Sequence, residues 1–287
     1  MHQDNVQAFL RELPRMREDL PFSPEVLGQL YIQTSGSSLS SLEEVGQTLS
    51  KDQGLTTRIL SMANSAYYGL QAEVRSVSRA AAVLGLGEIR NIVLALGIHG
   101  LSCKYAIPED FDLGEYWKHQ FLVGMIAREL SHIIAMGKPD TMFTVGMLHD
   151  IGKLIIALRR PDDWQAIHDM LEDDEDLTAV EAEDAYWGLD HAVVGALVLK
   201  SWDLPADLVE PVNWHHAPEL SPDHSGESML VALADYAARA VADPDGAAAR
   251  RAEKLCPDLE VDFDEIMETA EELADSEDIE QFVSLLS

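Results

Sequence analysis

Cysteine is scarce in this sequence. The 287 residues include two, Cys103 and Cys256, and no CxxC pair. A disulfide framework needs several cysteines and an oxidising compartment. The sequence therefore predicts a fold without disulfides in a reducing compartment, and we expect a cytoplasmic location. We interpret both cysteines as small buried hydrophobic side chains.

Basic residues are also few. Lysine and arginine total 20 against 51 aspartates and glutamates, which gives a formal net charge of −31 at pH 7. Nucleic acids and anionic membrane surfaces are both bound largely through lysine and arginine. We therefore expect neither as a partner. An anionic ligand would need a local positive centre, such as a bound cation, to offset the field of this chain.

Long apolar runs are missing as well. The sequence has no uninterrupted apolar stretch of about 18 residues, the length that a transmembrane helix needs. The first residues, MHQDNVQAFLRELPR, lack the apolar core of a signal peptide. We expect neither a membrane span nor a signal peptide, while an apolar share of 47% supports a sizeable core.

No alternating apolar and polar run is long enough to predict a β-strand. The apolar periodicity is helical along the chain, and two capping-box patterns, Ser41-x-x-Glu44 and Thr178-x-x-Glu181, predict helix starts. The fold class that we expect is all-α. Two of the longer helices are predicted over about 112–136 and about 140–158.

The second of these predicted helices contains an unusual polar pair. The stretch GMLHDIGKLII at 146–156 places His149 and Asp150 side by side in an apolar run, followed by Lys153. Polar groups buried without partners are costly, so this pair must have some. Either it belongs to a metal centre, or it forms hydrogen bonds that fix the register of neighbouring helices.

Further histidines and one aspartate recur in predicted helices. Imidazole and carboxylate are the mixed nitrogen and oxygen ligands that suit iron, manganese, zinc or nickel. Adjacent helical residues point about 100° apart, so a His-Asp or His-His pair can straddle one cavity and serve one or two metals. The candidate metal ligands are His119, His149, Asp150, His191, His215, His216 and Asp235.

Two more residues share a helical face with these candidates. Glu115 precedes His119 by four residues, which makes it an additional candidate ligand. Lys153 lies three residues after Asp150, where its ammonium group could meet a phosphate held by the metals. The remaining histidines, which we interpret as surface or packing residues, are His2, His99, His132, His168 and His224.

The order of these residues resembles the HD superfamily of metal-dependent phosphohydrolases. More narrowly, the chain resembles the HDOD family, the HD-related output domains of bacterial signalling. The segments that carry the likeness are ILSMANSAYYG, VRSVSRAAAVLGLGEIRNIVLAL, GMLHDIGKLII, DHAVVGALVLKSWDLP and HH-x-P. The resemblance implies a multi-helix HD-like bundle with an additional N-terminal helical half.

The resemblance also divides the chain into three parts. An N-terminal segment covers residues 1–16, and the HDOD domain covers 17–240. That domain has an N-terminal helical half at about 17–104 and an HD-like half at about 112–240. An acidic C-terminal helical extension follows at 241–287.

The resemblance implies a signalling role more strongly than catalysis. HDOD domains are regarded as regulatory relatives of the HD enzymes, often with incomplete metal ligands. The glycine-tyrosine-proline signature of the HD-GYP cyclic di-GMP phosphodiesterases is absent from HHAPELSPDHSGES, yet the candidate ligand set of this chain is full. The first hypothesis is therefore a non-catalytic bacterial regulator that binds a signalling protein or a small ligand, with a metal for structure or sensing.

The second hypothesis is a metal-dependent phosphohydrolase or phosphodiesterase acting on a phosphorylated nucleotide. One or two divalent transition metals, with iron or manganese favoured over zinc or nickel, would activate water. Asp150 would be the bridging ligand and Lys153 the phosphate clamp, as the catalytic residues. The third hypothesis is a structural scaffold with an empty polar cavity, and we rank the three in this order.

Overall fold

The structure is a computed structural model that describes residues 2–16, 24–34, 40–174 and 177–285. Every regular element within these ranges is a helix, which confirms the all-α prediction. The helices up to residue 134 are α1 (His2–Met16), α2 (Pro24–Thr34), α3 (Leu42–Leu49), α4 (Gln53–Ala63), α5 (Val77–Leu84), α6 (Leu86–Ser102) and α7 (Leu113–Ile134). The next are α8 (Pro139–Leu148), α9 (Ile151–Arg159), α10 (Pro161–Asp173), α11 (Ala179–Trp187), α12 (His191–Ser201) and α13 (Ala206–Trp214). The last are α14 (Ser225–Ala242), α15 (Ala247–Leu255), α16 (Phe263–Ala274) and α17 (Glu277–Leu285).

Helices α2 to α6 pack together as an N-terminal group. Both predicted capping boxes are present, one at the start of α3 and one at the start of α11, so the local sequence sets these helix ends. The loop after α4 is held by Asn64, whose side-chain amide bonds to both the N–H and the carbonyl of Val74 at 2.7 and 2.8 Å. Gly85, at φ 91°, allows the sharp bend between α5 and α6 because a side chain is strained at that angle.

A polar contact joins this group to the helices that follow. α6 packs on α8, and the Thr144 hydroxyl on α8 donates to the Asn91 side chain on α6 at 2.6 Å. The N-terminal group therefore contacts the helix that ends just before His149.

Glycines allow two helix pairs to approach closely in the second half. α7 packs along α8, and a methyl group on Gly146 would lie 2.7 Å from the Cα of Gly124. α9 packs on α12, where a methyl group on Gly152 would collide with the carbonyl of His191. These close approaches bring the histidines and aspartates of different helices within reach of one another.

The two ends of the chain pack on the same core. α1 lies against α11 and α12, with the rings of Phe9 and Trp187 5.6 Å apart. α15 and α16 pack on α14, and α17 on α7, where the Phe282 ring stacks on Phe121 at 4.1 Å. Residues outside the predicted 17–240 domain thus contribute to the folded core.

Within the described ranges, one stretch is long and apolar enough to cross a membrane, Pro139–Arg159, and 89% of its most apolar window is buried in the protein. Core helices meet the same criterion, so this is weak evidence for a span. Helices α5 and α6, which are bent relative to each other, would be long and apolar enough for a span only if they were counted as one helix.

The prediction for the cysteines is half right. Cys256 is buried, but Cys103 is exposed. Cys103 caps the C-terminus of α6, and its sulfur lies 3.3 Å from Nε2 of His99, one turn back on the same helix. It therefore lies at a helix end and not on the buried face.

We predict that Gly152→Ala destabilises the protein because the added methyl group must push α9 away from the His191 carbonyl. Overpacking of this kind costs about 1–3 kcal/mol. The midpoint of urea unfolding, followed by circular dichroism, measures the effect. Gly28→Ala is the matched control, since it lies in α2 with no described atom within 4 Å of the added methyl group, and it should be neutral or stabilising.

Candidate metal centre

The predicted helix over about 140–158 is wrong in one respect: it is two helices. α8 ends at Leu148 and α9 begins at Ile151, with Asp150 between them at φ −101° and ψ 16°. A continuous helix would fix the two side chains by helical geometry alone. Here hydrogen bonds and ion pairs to α7, α12 and α14 hold the pair instead.

Seven predicted ligands meet at this break. His119 comes from α7, His191 from α12, Asp235 from α14, and His215 and His216 follow α13. We call the set the His/Asp centre; its members are His119, His149, Asp150, His191, His215, His216 and Asp235. All are buried except His119 and His216, which are partly exposed.

Asp150 lies between the two sides of the His/Asp centre. Its Oδ1 is 2.9 Å from His191 Nε2 and 3.8 Å from His215 Nε2. Its Oδ2 is 3.4 Å from His149 Nε2 and 3.9 Å from His119 Nε2. Two groups of potential metal ligands result, each with its ligand atoms within 4.8 Å of one another, and both contain Asp150. One comprises His119, His149 and Asp150; the other comprises Asp150, His191, His215 and His216.

Three histidines are oriented by a hydrogen bond at Nδ1. His149 and His215 each donate this N–H at 2.7 Å to the carbonyl three residues earlier, on Gly146 and Val212. Both histidines stand where a helix ends, so these carbonyls lack an intrahelical partner. In a neutral ring, a protonated Nδ1 leaves the lone pair on Nε2, which is the arrangement that metal-binding histidines use.

The Nε2 atoms of His149 and His215 are the observation that favours a metal. Both atoms are buried and have no hydrogen-bond partner among the described residues, and both face Asp150. A buried polar atom without a partner loses free energy unless another group binds it. The donor set and its orientation therefore fit a metal ion.

Glu183 is a functional residue that the sequence did not reveal. Its carboxylate is buried and accepts two hydrogen bonds from His191, at 2.7 Å from the backbone N–H and 2.7 Å from Nδ1. His191 Nε2 lies 2.8 Å from His216 Nε2 and 2.9 Å from Asp150 Oδ1. Its place eight residues before His191 offers no helical spacing that would have predicted the pair.

Arg239 is the second residue that sequence reasoning missed. It donates to Asp235 Oδ1 at 2.8 Å and lies 3.3 Å from Asp150 Oδ2. Lys153 lies 2.6 Å from the same oxygen of Asp150, as its position after the pair suggested. The four-residue spacing from Asp235 to Arg239 is the signal that could have revealed it.

Charge balance sets the protonation of the His/Asp centre. Burial alone would raise the pKa of Asp150, but His149, Lys153 and His191 hold it well below its ordinary value. Burial lowers the pKa of His215 to about 3, so this imidazole is neutral near pH 7. Burial opposes a charge on His149 too, yet Asp150 and Asp235 raise its pKa to about 9. The two carboxylates therefore favour a positive charge between them, from a proton or a metal cation.

Glu115 is not brought into the His/Asp centre. Its side chain is 67% exposed, and its carboxylate bonds to Lys118 at 2.7 Å. The spacing from His119 is as predicted, but Glu115 lies in the exposed first turn of α7. Its role as a ligand stays a prediction that the geometry does not favour.

A cavity of about 890 Å³ opens beside the His/Asp centre. At its inner end it is lined by His191, His216, Asp235, Lys153 and Arg239. A small molecule in this cavity would contact both the imidazoles and the two cations.

A family model described as the HDOD domain matches residues 20–218. The match includes the predicted ligands from His119 to His216 and ends before Asp235 on α14. Among sequence relatives, an uncharacterized protein of Treponema pallidum (strain Nichols) is 20% identical over 226 residues, or 77% of this chain. This chain spans 42% of that relative's length.

Several solved structures share the fold. A candidate phosphohydrolase from Shewanella amazonensis SB2B has a TM-score of 0.73 and 26% identity, over 98% of each chain. An HDOD domain protein of unknown function from Geobacter sulfurreducens has a TM-score of 0.66 and 23% identity, over 93% of this chain and 99% of that one. A candidate signal transduction protein from Marinobacter aquaeolei VT8 has a TM-score of 0.77 and 19% identity, over 99% of this chain and 65% of that one. At these identities the last two show the fold alone.

We predict that Glu183→Gln weakens metal binding on the order of tenfold, because the amide loses the charge that orients and polarises His191. Titration of the metal-free protein with Mn²⁺ or Zn²⁺, followed by calorimetry, measures the change. Asp184→Asn, an exposed neighbour on α11, is the control for charge and should keep the native affinity. Equal weakening in both variants would contradict the role assigned to Glu183.

Proposed function

Because the chain belongs to the HDOD domain family, we propose that it is a bacterial signal-transduction protein that binds a divalent transition metal at its His/Asp centre and a small phosphate-bearing ligand beside it. The observation that carries the proposal is the pair of buried Nε2 atoms on His149 and His215, which face Asp150 and have no hydrogen-bond partner among the described residues. The mixed imidazole and carboxylate donors suit iron or manganese, with zinc or nickel as alternatives.

The residues of this chain would share the work of binding. His119 and His149 lie at Asp150 Oδ2, while His191 and His215 lie at Oδ1, so the two oxygens can serve two ions. Glu183 fixes His191, and Arg239 fixes Asp235. Lys153 and Arg239 line the cavity and can pair with a phosphate there.

A regulatory role is the form of this proposal that the family supports best. HDOD domains act in signalling, and this chain lacks the glycine-tyrosine-proline signature of the HD-GYP phosphodiesterases. Metal and ligand would then stabilise one conformation of the helices that converge on the His/Asp centre. Binding to one state of a protein shifts its population by the difference in affinity between the states.

The cavity favours a second candidate function, a metal-dependent phosphohydrolase or phosphodiesterase acting on a phosphorylated nucleotide. A bound metal would supply a water of lowered pKa and polarise a phosphoryl oxygen. Asp150 would orient the ions, and Lys153 and Arg239 would bind the negative charge of the phosphate. The structural likeness to a candidate phosphohydrolase at 26% identity agrees with this function.

We predict that metal stoichiometry depends on which side of Asp150 is altered. Protein purified without chelator should contain up to two transition-metal ions per chain by plasma mass spectrometry. His119→Ala should remove one ion and leave the group around His215, whereas Asp150→Ala should remove both because its carboxylate belongs to both groups. His224→Ala, outside the His/Asp centre, is the control. Full metal content in Asp150→Ala would contradict the proposed centre.

We predict that the metal-loaded protein does not hydrolyse bis(p-nitrophenyl) phosphate faster than its Asp150→Ala variant. Release of p-nitrophenolate, followed at about 400 nm with added Mn²⁺ or Fe²⁺, measures this. Turnover that needs metal and disappears in Asp150→Ala would overturn the regulatory proposal in favour of the phosphohydrolase.

A further inference from the structure

The cavity beside the His/Asp centre extends outward to α15. Its volume of about 890 Å³ lies within the range of small-molecule sites, roughly 300–1,000 Å³. The outer wall includes Arg251 and Lys254 from α15, which lies beyond the residues 20–218 that match the family model. This part of the cavity is therefore built by a segment outside the matched domain.

Basic residues are concentrated in this cavity. Lysine and arginine make up four of its twenty lining residues, a larger proportion than the 20 among all 287 residues of the chain. Aspartate and glutamate also make up four of the twenty, close to their share of 51 in 287. The strongly negative chain thus has a cavity whose formal charges balance.

The two pairs of cations differ in their partners. Lys153 and Arg239, at the inner end, are ion-paired with Asp150 and Asp235. Among the described residues, Arg251 and Lys254 have no carboxylate within ion-pair distance. Arg251 lies over the ring of Tyr236, 5.8 Å from its centre, and also interacts with the Tyr236 hydroxyl. The outer pair is therefore available to an anion.

Among the described residues, no acidic residue of the cavity wall lies within ion-pair distance of the outer pair, although the charges of Glu181 and Arg251 attract each other at longer range. Glu181 is engaged by its own capping box, where its carboxylate accepts from Thr178 at 2.6 and 3.0 Å. Glu219 and Asp258 lie on the wall but form no ion pair with α15. A ligand with an anionic group can meet the α15 cations without displacing an existing salt bridge.

An apolar wall lies along the same cavity. Its apolar and aromatic members are Ala179, Val180, Pro218, Met229, Ala232, Tyr236, Ala247, Ala248 and Leu255. Tyr236 follows Asp235 on α14 and meets Arg251 of α15, so it lies between the inner and outer cations. This wall suits the body of an organic ligand whose two ends are charged.

From this arrangement we infer that Arg251 and Lys254 form a second anion-binding subsite, so that the cavity takes a small organic phosphate with a further anionic group at its far end. The inference rests on the proposed function for the inner phosphate only. The outer subsite depends on α15 and gives this chain a preference that residues 20–218 alone would not have.

The test compares two probes by calorimetry, adenosine 3′,5′-bisphosphate and adenosine 5′-monophosphate, which differ by one phosphate. The native protein should bind the bisphosphate on the order of tenfold more tightly, the effect of about one charge-assisted interaction. The double variant R251Q/K254Q should lose this preference and keep its affinity for the monophosphate, its metal content and its circular dichroism spectrum. Both substituted side chains are exposed, so the fold should persist.

Arg250→Gln is the matched control. Arg250 is an exposed arginine on the same helix that bonds to the backbone of Asp245 and lies outside the cavity lining. If Arg250→Gln reduces the preference for the bisphosphate as much as R251Q/K254Q does, the preference comes from long-range electrostatics, and the proposed subsite is refuted. Equal affinity of the native protein for the two probes, or no bisphosphate binding at about 1 mM, also overturns it.

Failure of the outer subsite is distinguishable from failure of the metal centre. A protein that binds its metals but shows no preference between the probes would refute the subsite alone. A protein without metal that still shows a preference dependent on Arg251 and Lys254 would refute the metal centre alone.

Discussion

The buried carboxylate of Asp150 is the group around which the second half of the fold is arranged. Taking a carboxylate out of water is expensive unless several partners compensate it. Here His149 and His191, together with Lys153 and Arg239, surround its two oxygens. The break between α8 and α9 places this carboxylate among α7, α12 and α14, and the cavity opens beside it.

The backbone makes the arrangement possible at two levels. Glycines at Gly146 and Gly152 allow α8 to approach α7 and α9 to approach α12, so that side chains from separate helices can meet. The ends of α8 and α13 leave free carbonyls that bind Nδ1 of His149 and His215. The same feature, a histidine at a helix end, thereby gives both sides of the centre a fixed Nε2. Preorganised ligands of this kind lose little freedom when a metal binds.

Much of the site was predictable because its residue types are unusual where they stand. Histidines and aspartates in apolar helical segments needed partners, and seven of them do converge. The helix starts at Ser41 and Thr178 were predictable because a capping box is a local signal. The break at Asp150 was not, because it depends on contacts with other helices. Glu183 could not be distinguished in a chain with 51 acidic residues, since only the packing of α11 beside α12 gives it a role. Glu115 has the predicted spacing from His119, but spacing alone does not show that a residue faces the solvent, and its role as a ligand stays a prediction.

Negative charge is high over the whole chain, yet the cavity beside the centre collects cations from α9, α14 and α15. A metal at Asp150 would add positive charge at the inner end of this cavity. There the residues that match the family model meet the C-terminal helices that follow them. The most direct measurement is an anomalous-difference map from crystals of untagged protein, collected on both sides of the absorption edge of the metal found. A metal in the His/Asp centre should give a peak within about 2.0–2.2 Å of a carboxylate oxygen of Asp150 and of Nε2 on His149 or His215. A map without a peak there, from protein that contains metal in solution, would contradict it.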